Sequence, residues 1–196
     1  MKALAWTILA LAASSVGMAQ TLAGDALVKA LQQGGYVILM RHAASPRTAP
    51  DKAAANPDNT KLERQLDAEG RESATALGKA LRALKIPLGE VVSSPTYRAL
   101  ETVKYAQFPK AVEAPELGDN GQSMQGGTAA QAEWLKKRVT QMPKGTNTVL
   151  ITHSPNLTGA FPQLAVGVAD GEAMIFGPGT TLVARVKIDE WQKLVK

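Results

Sequence analysis

The sequence predicts an α/β fold, a three-layer sandwich with a mostly parallel central sheet and helices on both faces. Short apolar runs alternate with helical segments of roughly 10 to 20 residues, and near-continuous apolar runs are typical of parallel strands covered on both faces. The chain has 196 residues, 45% of them hydrophobic. That is enough for one sizeable core, so a single domain is expected.

The first nineteen residues are interpreted as a secretory signal peptide, which leaves residues 20–196 as the folded domain. They contain Lys2, an uncharged apolar stretch, and a small-x-small ending that predicts cleavage after Ala19. The apolar stretch is shorter than the roughly 20 residues of a membrane span, so no stable membrane insertion is expected after cleavage. The chain has no cysteine, which excludes disulfides and thiolate chemistry. A periplasmic or secreted location is therefore expected.

The charge pattern argues against a nucleic-acid partner. The formal net charge is +5, and Lys2 is lost with the leader. Lysines and arginines are scattered along the chain without interleaved aromatic residues. A nucleic-acid surface needs a clustered basic stripe or a recognisable module, so this mild excess predicts a solvated basic face.

The first half of the chain predicts two helices, one strand and a long loop. Apolar positions at helical spacing predict a helix over residues 21–33, and "YVILM" predicts the first strand. Residues 43–66 lack periodicity and are rich in proline, so they are expected to form a loop. Asp67 is a candidate N-cap for the next helix, which Pro87 is expected to end.

The second half predicts strands that again alternate with helices. "EVVSSP" predicts a strand, after which Ser94 can cap and Pro95 can occupy the first turn of a helix reaching about Ala106. A further helix over residues 128–141 precedes the strand "NTVLITH". The runs "EAMIFG" and "TLVARVKI" flank Pro178 and predict a closing hairpin.

Both histidines of the sequence stand where an apolar run ends. "VILMRH" ends on Arg41 and His42, and "TVLITH" ends on His153. Ser94 and the predicted helix start also follow a strand. Ligands of parallel sheets bind beyond the carboxyl ends of the strands, so these residues are expected in one crevice.

The residue types in this crevice suit phosphate chemistry. An imidazole such as His42 can attack phosphorus with one ring nitrogen while its other nitrogen is held by a hydrogen bond. Arg41 and Arg98 offer planar forks for phosphate oxygens, and a helix N-terminus favours anions. His153 could be protonated and donate to a transferring phosphoryl group.

Each of these residues also has an ordinary structural interpretation. The strand end could simply meet water, His153 could be a satisfied core histidine, and Arg98 could pair with Glu101 at i, i+3. A zinc site has little support, because two histidines far apart in sequence lack a metal-binding spacing.

Four motifs, "LMRHA", "LDAEGR", "SSPTYRALET" and "VLITHSPN", together resemble the histidine phosphatase superfamily in its phosphoglycerate-mutase-like branch. The likeness is greatest to small exported members, including the lipopolysaccharide core heptose phosphate phosphatases, and spans about residues 36–188. The resemblance implies a phosphohistidine mechanism without metal or cofactor. In it His42 is the nucleophile, Arg41 and Arg98 clamp phosphate, and His153 is the second histidine of the pocket.

The sequence departs from the family pattern in two places. Family members usually have glycine after the Arg-His pair, where this chain has Ala43, which could narrow the pocket but is allowed at negative φ. The proton donor is the second departure, because the branch uses a glutamate after a leucine. Here Asp119 stands in the leucine-x-acid register with Glu116 nearby, and Glu172 is a more distant candidate. Arg47, in the long loop, could fold over the phosphate.

The function expected from these features is a metal-independent phosphomonoesterase that acts on small phosphorylated compounds of the cell envelope, with sugar phosphates as candidates. Two alternatives stay open. One is a phosphomutase, which needs a lid that excludes water. The other is a binding module for phosphorylated ligands with weak or no turnover.

Overall fold

The computed structural model describes residues 21–119 and 128–196; the signal peptide predicted for residues 1–19 lies outside them. The described residues form a six-stranded sheet between two layers of helices. The strands are Val37–Arg41 (β1), Leu88–Ser93 (β2), Val112–Glu113 (β3), Asn147–Thr152 (β4), Ala173–Gly177 (β5) and Thr181–Val186 (β6). The helices are Gly24–Gln33 (α1), Ala68–Ala83 (α2), Tyr97–Ala106 (α3), Ala129–Arg138 (α4), Ser154–Ala160 (α5) and Glu190–Lys193 (α6).

The sheet has the strand order β3-β2-β4-β1-β5-β6. Pairing is parallel from β3 through β2 and β4 to β1, and antiparallel from β1 to β5 and from β5 to β6. The predicted α/β fold with a mostly parallel sheet is therefore confirmed. The closing hairpin is also confirmed, with β5 and β6 joined at residues 178–180.

Side chains of alternate strand positions enter two separate apolar layers. Ile38 and Met40 of β1 face a layer that includes residues of α1, α2, α3 and α6, whereas Val37 and Leu39 face a layer with residues of α4 and α5. Successive strand residues point to opposite faces of a sheet, so β1 is covered on both sides. This explains why its sequence is apolar from Val37 to Met40.

Each layer contains its own tryptophan. Trp191 is fully buried in the first layer. Trp134 is partly buried against the second. The sheet therefore separates the two indole rings.

The start of α2 packs closely under the chain that follows β1. Asp67 is the N-cap, as predicted, and accepts a hydrogen bond from the Gly70 amide at 2.7 Å. A Cβ on Gly70 would lie 2.0 Å from the Ala44 carbonyl oxygen, so only glycine fits there. The helix ends at Ala83, ahead of the expected Pro87, and Lys85 then takes a left-handed φ of 54°.

Several element boundaries differ from those predicted. Helix α3 begins at Tyr97 with Thr96 as its N-cap, so Ser94 is not the cap. Instead the buried Ser94 hydroxyl accepts a hydrogen bond from the Thr96 amide at 3.2 Å, which shapes the turn between β2 and α3. Helix α5 follows His153 directly where a loop was expected. No helix within residues 21–119 and 128–196 is long and apolar enough to cross a membrane.

Candidate active site

The two histidines are brought together by neighbouring parallel strands. Strands β1 and β4 pair so that Arg41 lies opposite Thr152. The His42 amide donates to the Thr152 carbonyl at 3.0 Å. His153 follows the last residue of β4, and the two imidazole centroids are 5.1 Å apart. The convergence follows from the sheet, because parallel strands end at the same edge.

His42 is held as a single tautomer. Its Nδ1 lies 2.7 Å from the Ala43 carbonyl oxygen; a carbonyl can only accept, so Nδ1 carries the hydrogen. The Nε2 lone pair accepts from Arg98 Nε at 3.2 Å. Burial, with the neighbouring His153 and the Arg98 charge, holds the pKa of His42 well below its usual value of 6.5. The ring is therefore neutral at neutral pH, with Nε2 as the nucleophilic atom.

His153 is neutral as well. Burial, followed by the charges of Arg98, Arg64 and Arg41, lowers its pKa to about 2. Its Nδ1 lies 3.1 Å from Arg98 Nη2 and its Nε2 lies 2.8 Å from the Ser94 hydroxyl. The expectation that His153 could be protonated does not fit this environment, because nearby arginines oppose a second positive charge.

Arg98 connects the two rings to a carboxylate. It enters the site from the first turn of α3 and is only 4% exposed. Besides His42 and His153 it contacts Asp119, which is also buried. A buried guanidinium needs such a partner, because an unpaired buried charge is strongly unfavourable.

Glu101 does not pair with Arg98, contrary to one interpretation of their i, i+3 spacing. Its Oε2 accepts from the Leu66 amide at 2.6 Å, and its Oε1 accepts from Asn56 Nδ2 at 2.8 Å. It therefore contacts the long loop between β1 and α2.

Arg41 points along the other side of the crevice. Its Nη2 lies 2.7 Å from Asp170 Oδ1, and its Nη1 donates to the Val168 carbonyl at 3.2 Å. Its Nε is buried without a hydrogen-bond partner in the described part of the chain. The terminal nitrogens expected to clamp phosphate thus contact the Asp170 carboxylate and the Val168 carbonyl.

A cavity of about 390 Å³ lies beside the two histidines. It is lined by Arg41, His42, Ser45, Arg47, Arg64, His153, Ser154, Pro155 and Asp170. A second cavity, of about 640 Å³, is also lined by Arg47 and Arg64, and by Arg98 and Asp119. Residues of the long loop thus line both cavities, and Arg47 is an exposed residue on the wall of each.

Two charged residues on the wall of the 390 Å³ cavity, Arg64 and Asp170, were not among the residues predicted from the sequence. Arg64 donates from Nε to the Pro46 carbonyl at 2.6 Å and from Nη2 to the Ser45 carbonyl at 3.3 Å. Burial and the charge of Arg98 lower the pKa of Arg64. Arg64 and Asp170 lie in segments without helical or strand periodicity, so only their charge could have marked them as candidates.

The candidate proton donors occupy different places. Asp119 reaches the core of the site, and its Oδ2 is 4.0 Å from His153 Nδ1. Glu116 lies half-buried in the 3-10 turn at residues 115–117, outside the walls of both cavities. Glu172 is engaged elsewhere, with Arg185 Nε at 2.6 Å and the Ala169 amide at 2.8 Å.

Ala43 does not crowd the crevice. Its methyl group packs in a small cluster with Leu66 and Ala74, and its φ is not positive. Its amide donates to Thr102 Oγ1 at 3.1 Å. The side chain therefore points to the protein interior and does not narrow the pocket.

Within residues 21–119 and 128–196, no three side chains of a metal-binding type lie close enough together to hold an ion. The sequence likewise carries no metal-binding spacing.

Comparison with known proteins identifies the family. A model of the histidine phosphatase superfamily, branch 1, matches residues 37–148. The match covers more than half of the chain, which therefore belongs to this superfamily. The matched residues include β1, the long loop, β2 and α3. No curated protein matches the chain.

Two solved structures show the same fold at low sequence identity. The protein histidine phosphatase SixA, solved with tungstate, is 17% identical; the match covers 79% of this chain and 98% of that chain, with a TM-score of 0.57. TTHB049 from Thermus thermophilus is 20% identical; the match covers 78% of this chain and 99% of that chain, with a TM-score of 0.53. At these identities the likeness supports the fold.

Proposed function

We propose that the protein is a metal-independent phosphomonoesterase that acts through a phosphohistidine on His42. One observation carries the proposal. The bond from Nδ1 to the Ala43 carbonyl fixes the tautomer. The unprotonated Nε2 is thereby presented as the nucleophile, 3.2 Å from the Arg98 guanidinium. Membership of the histidine phosphatase superfamily supports the same reaction.

In the first step the Nε2 lone pair of His42 forms a bond to phosphorus while the bond from phosphorus to the ester oxygen breaks. Arg98 and Arg41 face the charge that develops on the phosphoryl oxygens. Phosphate and Asp119 compete for Arg98, so substrate entry loosens the ion pair. The freed carboxylate takes up a proton from the entering phosphate monoester monoanion. Asp119, or Glu116 as the alternative, then gives a proton to the leaving oxygen.

In the second step water attacks phosphorus and the bond to Nε2 breaks. The carboxylate that lost its proton takes one from the attacking water. The products are inorganic phosphate and neutral His42. The proton taken from water leaves with the phosphate, so the carboxylate is ionised again and the protein returns to its starting state without an added cofactor.

The test is hydrolysis of p-nitrophenyl phosphate by the purified protein in the presence of EDTA. We expect turnover by the wild-type protein and a loss of at least about a thousandfold in His42→Ala, because the nucleophile is gone. Phosphate binding without turnover in the wild-type protein would instead support a binding module.

The location and the substrate class extend this proposal. The predicted leader supports export to the periplasm, and the compartment makes phosphorylated envelope compounds, such as sugar phosphates, the first substrates to test. Expression of the full chain in a bacterial host should yield a periplasmic product whose N-terminus is Gln20. A cytoplasmic product that keeps residue 1 would contradict the location.

A further inference from the structure

The long loop at residues 43–66 is a wall of the active site and needs a fixed position. It contributes Arg47 and Arg64 to both cavities. It contains no regular helix or strand. A loop of this length keeps a cation in place only where specific contacts hold it against the rest of the fold.

Helix α3 provides those contacts from one face. Arg98, Glu101 and Thr102 stand at i, i+3 and i+4, positions that share a side of a helix. Arg98 enters the active site, and Thr102 accepts from the Ala43 amide beside the nucleophile. Glu101 lies between them and faces the loop.

Glu101 is a buried carboxylate whose hydrogen bonds are with the loop. It is 2% exposed, and burial raises its pKa. Its two oxygens accept from the Leu66 amide at 2.6 Å and from Asn56 Nδ2 at 2.8 Å. Among the described residues no lysine or arginine forms an ion pair with it. Burying a carboxylate is unfavourable, so its place here calls for a role that a smaller or apolar side chain would not fill.

We propose that Glu101 is a positioning residue that ties the loop to the helix of Arg98 and thereby holds Arg64 against the phosphate cavity. The proposal rests on the phosphate site proposed above. It adds a residue that touches neither substrate nor the reacting atoms. Leu66 is two residues from Arg64, so the bond to its amide acts close to the guanidinium.

Amide side chains carry the restraint through the loop. Gln65 Oε1 accepts from the backbone amide of Asn56 at 2.9 Å and from Asn59 Nδ2 at 3.2 Å. Asn59 Nδ2 also donates to the Glu63 carbonyl at 2.7 Å. Asn56, which Glu101 contacts directly, and Gln65, which precedes Leu66, both belong to this network. The loop should therefore shift as a unit when the contacts of Glu101 are lost.

A matched control exists on the same loop and the same helix. Asp58 contacts Lys104 of α3 at 3.0 Å, but both side chains are more than half exposed, at 58% and 60%. Asp58 also accepts a hydrogen bond from the Tyr97 hydroxyl of α3, which the amide oxygen of Asp58→Asn can still accept. Exposed ion pairs contribute little, so Asp58→Asn should leave the loop in place. Glu101→Gln is the conservative variant, because its amide oxygen can still accept one hydrogen bond.

The first experiment separates binding from chemistry with p-nitrophenyl phosphate and inorganic phosphate. In Glu101→Ala we expect KM and the phosphate inhibition constant to rise about tenfold, while kcat stays within about threefold, since His42 and Arg98 keep their contacts. Glu101→Gln should fall between Glu101→Ala and wild type, and Asp58→Asn should match wild type. A comparable loss in kcat for Glu101→Ala, with KM and the phosphate inhibition constant unchanged, would overturn the proposal.

Trypsin cleavage after Lys61 or Arg64 provides a readout that does not depend on turnover. We expect cleavage to be about tenfold faster in Glu101→Ala than in wild type and to be slowed by added phosphate in wild type, because local opening exposes the loop. If Glu101→Ala does not fold, trypsin should still cleave Glu101→Gln faster than wild type. Wild-type cleavage rates in both Glu101 variants would overturn the proposal. If wild type lacks turnover but phosphate protects it from trypsin, the phosphatase proposal fails while the positioning role stands.

Discussion

The Nε of Arg98 lies 3.2 Å from Nε2 of His42, and both side chains are almost fully buried. The proposed phosphate anchor and the proposed nucleophile are therefore in direct contact in the folded chain. The same guanidinium reaches His153 and Asp119. One planar group thus links both histidines and the carboxylate of Asp119.

Replacing Arg98 by lysine should be far from conservative. A lysine keeps the charge but cannot make directed bonds to both histidines and Asp119, because an ammonium lacks the planar fork. We expect Arg98→Lys to lower kcat/KM for p-nitrophenyl phosphate by about a hundredfold or more. A matched control is Arg138→Lys, at a residue that pairs with Glu90 away from the crevice. Similar activities in the two variants would contradict the role of the fork.

The leaving group should reveal the proton donor. p-Nitrophenolate departs without a proton, whereas an alkoxide such as that of glycerol phosphate needs one. If Asp119 is the donor, Asp119→Asn should lower kcat for glycerol 2-phosphate at least about tenfold more than kcat for p-nitrophenyl phosphate. Glu116→Gln should then affect both substrates equally. The reverse pattern would assign the proton to Glu116.

Stability should depend on pH through the buried imidazoles. The pKa of His153 is lowered from 6.5 to about 2, and the pKa of His42 is lowered as well. In this window the unfolded chain binds more protons than the folded one, so the contribution is complete above pH 6.5 and is lost as the pH falls. We expect Tm to fall between about pH 7 and pH 5, and to fall less in His153→Gln. Thermal melts at several pH values provide the measurement. If Tm falls equally with pH in wild type and His153→Gln, His153 does not titrate in this way.

Asp170 should weaken phosphate binding rather than support it. Its carboxylate lines the cavity of about 390 Å³. Its ion pair with Arg41 is partly exposed and therefore contributes little to stability. Asp170→Asn keeps an oxygen that can accept from Arg41 but removes a negative charge that repels phosphate. We expect the inhibition constant for phosphate to fall about threefold, an effect that added salt reduces.

The control for this variant is Asp189→Asn, because Asp189 pairs with Lys193 on the surface at 2.8 Å. It should leave the inhibition constant unchanged. Weaker phosphate binding in Asp170→Asn would mean that the carboxylate acts mainly by orienting Arg41.

The centre of the site could be predicted from the sequence because the sheet determines it. Apolar runs that end on Arg41, His42 and His153 are neighbouring parallel strands of the sheet, so their polar ends had to meet. The helix start predicted after the second strand also indicated that Arg98, in its first turn, would join them. These predictions use only local patterns and the geometry of parallel strands.

The walls of the site could not be predicted in the same way. Arg64 and Asp170 lie in irregular segments, where no period relates a residue to a face. Glu101 was open to interpretation as a helix-surface partner of Arg98, because spacing cannot distinguish that pair from a bond to a distant loop. The neutral state of His153 depends on burial and on three arginines that only the folded chain assembles.

The separation of Trp191 and Trp134 by the sheet gives each helical layer an optical label of its own. Single replacements of either indole by phenylalanine would leave one emitter, apart from Trp6 in the predicted leader. Fluorescence could then follow the melting of the two sides independently, and coincident curves would show that they unfold as one cooperative unit.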